Sequence, residues 1–91
     1  MIEVEGTILS KGYDNEDNEC YVLAIDTARG KRAVVMYNDG ANKDYIKGLE
    51  IILKVGDIIS FQTANPQQPV HLKRPEEIYL YKNKGEKNER S

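Results

Sequence analysis

The sequence contains no tryptophan, one phenylalanine (Phe61), one histidine (His71) and one cysteine (Cys20). Each scarcity closes a class of function. A lone cysteine forms no internal disulfide, so the fold is not stapled and fits a reducing, intracellular setting. One His and one Cys fall short of the three or four ligands a zinc site needs. No Ser or Cys nucleophile has a visible histidine partner, and no glycine-rich phosphate loop follows a strand. No catalytic residue, metal or cofactor is therefore expected. Apolar runs reach only four or five residues, so nothing reads as spanning a membrane. The opening Met1–Ile8 stretch is acidic and alternating, unlike a secretory leader. The chain also lacks the positive excess of a polybasic nucleic-acid binder, with 13 Lys+Arg against 15 Asp+Glu and a net charge of -2.

What is present is a chain of 91 residues, 40% hydrophobic and 31% charged, the size of one small globular domain. Its charge is unevenly distributed. Residues 1–30 hold two basic residues (Lys11, Arg29) and seven acidic ones (Glu3, Glu5, Asp14, Glu16, Asp17, Glu19, Asp26). Basic pairs come later, at Lys31-Arg32 and Lys73-Arg74. The Asp14–Glu19 stretch resembles a calcium loop but lacks its central glycine and its terminal glutamate at the right spacing.

Ile2, Val4 and Ile8 alternate with polar residues, which is period two and a strand with one buried face. Gly6 inside it marks a bulge or bend. A loop is expected from Gly12 to Glu19, then a strand over Cys20–Asp26. Thr27–Lys31, with Gly30, reads as a hairpin turn into a third strand ending at Tyr37. Ile46, Leu49, Ile52 and Leu53 then fall on one helical stripe, with Asn42 as the expected cap. A fourth strand follows at Ile58–Thr63, then a loop holding all three prolines, within which Val70-His71-Leu72 can pair as strand. A fifth strand is expected at Ile78–Lys82. Residues 83–91 read as a disordered polar tail on a single domain, 1–82. Three strands, a short helix and two strands is the plan of an all-β, five-stranded OB-fold Greek-key barrel with one short helix between strands 3 and 4. An SH3-like barrel, which usually lacks that helix, is the rival plan.

The run Asp26–Asp39 resembles the hairpin of the replication protein A and archaeal family of single-stranded DNA-binding OB domains. There a strand ends in Asp, a short turn ends in Gly, and the next strand closes on an aromatic followed by Asn. Tyr45-Ile46 and Leu53–Phe61 are similar to that family's helix, Val-Gly turn and fourth strand. The resemblance covers about forty residues. It implies single-stranded DNA or RNA as partner and a base stacked on Tyr37. His71 stands where a second stacking aromatic usually lies, and Tyr13 where the first loop often carries one. In the same reading Val35 forms floor beside Tyr37, and Lys31, Arg32, Lys73 and Arg74 hold phosphates from two loops. Arg32 falls one residue before the family's arginine and so on the opposite face of the strand. The resemblance equally allows a non-enzymatic interaction subunit of a replication or repair complex, or an oligomer. Tyr21 shares parity with Leu23 and Ile25 and is read as core. Tyr79 and Tyr81 emerge opposite Ile78 and Leu80.

Overall fold

A computed structural model describes residues 1–14 and 16–81, apart from the Glu76 side chain. The expected tail at 83–91, and Lys82, lie outside the described residues. The strands are β1 (Ile2–Tyr13), β2 (Cys20–Thr27), β3 (Gly30–Tyr37), β4 (Ile58–Thr63), β5 (Val70–His71) and β6 (Tyr79–Tyr81). One helix, α1 (Asn42–Ile52), joins β3 to β4, and a single 3₁₀ turn covers Pro75–Glu77. The strands form one sheet in the order β5-β3-β2-β1-β4-β6, with β3 and β5 parallel and every other pair antiparallel.

Six strands replace the expected five, and the sheet keeps two edges instead of closing by hydrogen bonds. Pro75 opens the 3₁₀ turn, and the turn interrupts what would otherwise be one final strand. Its first piece, β5, pairs with β3, while β6 crosses to β4. The side of β3 away from β2 is covered by the short β5 and the chain flanking it. Ala33 N donates to Gln68 Oε1 (2.8 Å) and Leu72 N donates to Val35 O (2.9 Å). These bonds spend backbone groups that would otherwise invite edge pairing.

β1 runs on to Tyr13, two residues into the loop expected from Gly12 to Glu19. A bulge between Ile8 and Ser10 makes the extension possible and shifts the alternation by one residue. Before it, Val4, Gly6 and Ile8 face the core. After it, Lys11 and Tyr13 turn inward, opposite Leu23 and Tyr21. Gly6 sits where β1 approaches β2 most closely. A Cβ there would stand 3.0 Å from Asp26 O and 3.0 Å from Ile25 Cδ1, so only glycine fits without a shift.

The core gathers Ile8, Tyr21, Leu23, Ile25, Val34, Met36, Ile46, Leu53, Ile59, Phe61 and Val70, all almost fully buried. The helix departs from expectation at both ends. Ala41 rather than Asn42 is the N-cap, and no side chain caps it. Asn42 instead donates its side-chain amide to Tyr37 O and Lys73 O, both at 3.2 Å, tying the end of β3 to the chain after β5. At the other end Ile52 is half exposed, because the helix stops there. Leu53 turns extended and enters the core in its place. The Lys11 ammonium donates to Glu50 O (2.7 Å) and Leu53 O (2.5 Å), meeting carbonyls that the helix end leaves unpaired. A turn over Lys54–Asp57 then leads into β4, closed by Asp57 N donating to Lys54 O (3.0 Å), with Gly56 at φ +98°. That left-handed conformation requires glycine.

Gly48 has no such reason to be glycine. It is mid-helix, and a Cβ there would meet nothing within 4 Å. Glycine in a helix interior costs about 1 kcal/mol relative to alanine. Gly48→Ala is therefore expected to stabilise the free protein by up to about 1 kcal/mol, read as a raised midpoint in thermal or urea unfolding.

Candidate nucleic-acid interface

Parity on β3 organises the surface. Val34 and Met36 point into the core, while Ala33, Val35 and Tyr37 point out. The register extends this outward face across three strands. Ser10, Ala24 and Ala33 form one row, and Gly12, Val22, Val35 and His71 form the next. Cys20 lies opposite Tyr37. These residues are small, so they make a shallow floor with two rings at one end. Tyr37 is 45% exposed. Its ring lies within 12° of parallel to the His71 ring, with centroids 6.1 Å apart. Its hydroxyl stands 3.4 Å from His71 Nδ1.

Past His71 the chain borders a groove of about 500 Å³, lined among others by Gln62, Asn65, His71, Lys73, Arg74 and Glu77. Arg74 Nε lies 3.8 Å from Glu77 Oε2. The structure thus brings Tyr37, Val35 and His71 together, with Lys73 and Arg74 next to them. The other basic pair is elsewhere. Lys31 sits on the same face, opposite Asp26, but six residues from Tyr37 along β3, or roughly 20 Å. The two pairs therefore mark opposite ends of β3 and do not flank one point. Arg32 has inward parity opposite Ile25 and donates from Nη1 to Lys31 O (2.9 Å). It borders a separate groove of about 320 Å³ with Glu3, Glu5 and Arg29.

Tyr13 also lies away from this face. The bulge in β1 turns it inward, where its ring meets Tyr21 edge-on at 5.1 Å and its hydroxyl donates to Glu50 Oε2. Burial, this hydrogen bond and the Glu50 charge push the Tyr13 phenol up to about 12 from 10.0. Folded protein then holds the proton after unfolded chain has lost it. The stability this provides is complete below about pH 10 and is lost as pH rises toward 12. Spectrophotometric titration at 295 nm is expected to show late phenolates from both Tyr13 and Tyr21, with the Tyr13 component absent in Tyr13→Phe. That variant is also expected to lose less stability between pH 10 and 12.

The acidic loop is fastened beside Tyr37. Asn38 N donates to Glu19 O and Asn38 Nδ2 to Asn18 O, both at 2.8 Å. Its charge is felt locally. Burial pushes the Cys20 thiol up, and Asp14, Glu19 and Asp39 push it further in the same direction. Sequence reasoning missed the floor residues Ser10, Gly12, Val22 and Ala24, and the groove amides Gln62 and Asn65. Hydrophobic patterning carries no signal for either set, because cross-strand register assembles them. Among the described residues, no group of three His, Cys, Asp or Glu side chains is placed to hold a metal ion. Among them also, no helix is long and apolar enough to cross a membrane.

No protein-family model matches the chain, and neither a curated protein nor a solved structure matches it.

Proposed function

We propose that this protein is an OB-fold module that binds single-stranded nucleic acid, DNA foremost, without catalysis. The observation that carries the reading is the exposed, nearly parallel Tyr37–His71 pair at the end of a small-residue face on β2 and β3. In OB folds this face and the adjoining loops hold oligonucleotides. The pairing pattern supports the barrel. A long β1 serves both β2 and β4, β3 and β5 run parallel, α1 lies between β3 and β4, and the last strand is split in two. Every base has a π-face, so a ring platform binds without sequence readout. Lys73 and Arg74 lie next to the rings, where a backbone leaving the platform would pass. A fluorescence titration with oligo-dT tests the reading. Binding is expected at low salt, with log affinity falling linearly against log salt. Absence of binding at low salt overturns it.

A second reading is favoured by one observation, the acidic loop fastened beside Tyr37. A loop of that charge repels phosphates and suits a protein partner instead, making the chain an interaction subunit of a larger complex. Neutralising it by Glu16→Gln with Asp17→Asn separates the two. The nucleic-acid reading expects tighter oligo-dT binding, and the interaction reading expects none before or after.

A further inference from the structure

A second surface, unconnected with the ring platform, lies on the outer side of α1. Ile51 is 77% exposed, Ile52 52% and Val55 61%. On a helix of 3.6 residues per turn, Tyr45, Gly48 and Ile52 share one side, and Ile51 flanks Gly48 one turn on. Gly48, with open space where a Cβ would be, leaves a shallow hole rimmed by larger side chains. Leu9, at the β1 bulge and partly exposed, joins the patch, because Gly56 N donates to Ile8 O (2.8 Å) and so sets Val55 beside it. Contiguous exposed apolar side chains around a hole are how one helix receives another.

The charge around the patch selects the occupant. Lys47, one turn before Ile51, and Lys54, just past the helix, are both exposed. The nearest acid, Glu50, is half-buried and accepts from the Tyr13 hydroxyl, and Asp44 lies one turn before Gly48. The chain leaves β6 at Tyr81, opposite Ile58 and thus close to the α1–β4 turn. The ten residues that follow carry four basic and two acidic side chains and nothing apolar. A second copy of this chain would set lysine rim against lysine rim.

We propose that this face of α1 docks an acidic amphipathic helix of a partner protein. The partner's apolar stripe would sit across Gly48, Ile51, Ile52 and Val55, and its carboxylates would lie over Lys47 and Lys54. The site is independent of the nucleic-acid reading.

The probe is a synthetic, fluorescently labelled 21-residue helical peptide with leucine at i, i+3, i+4 and i+7 and glutamate elsewhere. Its control carries lysine in place of glutamate. The full chain is expected to bind the glutamate peptide and to reject the control. Ile51→Asp and Lys47→Glu are each expected to weaken binding at least tenfold. Both residues are exposed, so thermal midpoints and oligo-dT affinity are expected to stay at the parent values. Backbone amide shifts on peptide addition are expected over residues 45–55 and at Leu9. No binding, equal binding of the control, or shifts centred on Tyr37 overturns the proposal. So does concentration-dependent dimerisation that Ile51→Asp abolishes, which would assign the patch to a second copy.

Discussion

Phe61→Ala is expected to remove about 3–5 kcal/mol of folding stability, the cost of truncating a buried aromatic and leaving its cavity. Phe61 is the largest apolar side chain on β4 and is 1% exposed. It faces Val4 across the β1–β4 ladder, in a core assembled from every long element of the chain. A domain of this size holds roughly 4–12 kcal/mol in total, so the loss takes a large share of it. Equilibrium urea unfolding, followed by circular dichroism, measures the change. Tyr79→Ala is the control. It belongs to β6, which pairs with β4, but its side chain is 68% exposed, and a change within about 0.5 kcal/mol is expected. Similar losses in the two variants would mean that the inner face of β4 is not the core.

Tyr37→Ala is expected to lower oligo-dT affinity by about 1–3 kcal/mol, roughly thirtyfold at the midpoint of that range, the worth of one stacked base. The ring is 45% exposed and pairs with the His71 ring, so folding stability is expected to be nearly unchanged. Tyr37→Phe keeps the face and loses only the hydroxyl beside His71, and near-parent affinity is expected. The salt slope separates stacking from charge. Tyr37→Ala is expected to leave it unchanged, whereas Lys73→Ala is expected to lower it by about 0.7, one phosphate on a single strand. Unchanged affinity in Tyr37→Ala would remove the stacking claim. Unchanged affinity in both variants would remove the interface.

Much of the β architecture was legible in the chain. β4 appears at Ile58–Thr63 as its alternation required, and the β2–β3 hairpin turns at Gly30. Tyr21, Leu23, Ile25, Val34, Met36 and Phe61 are core as their parity implied. The outward parity of Tyr37 and Val35 was equally readable, because the alternation in β3 is unbroken. Tyr13 was expected in the first loop, whereas it ends β1 and turns inward, for one reason. A bulge at Leu9 inverts the alternation of β1, and a bulge leaves no mark in a pattern of apolar and polar residues.

The single cysteine determined by itself that these 91 residues form no disulfide among themselves. Net charge could not do as much, because a total of -2 does not say where charges meet. Tertiary structure alone set the acidic loop beside Tyr37, the basic pairs at opposite ends of β3, and His71 beside Tyr37 across 34 residues of chain. It also left Ile51, Ile52 and Val55 in solvent, since α1 ends where Leu53 turns inward. The reason is common to all of these. Periodicity reports which face a residue occupies within its own element. Only register and packing decide which faces become neighbours.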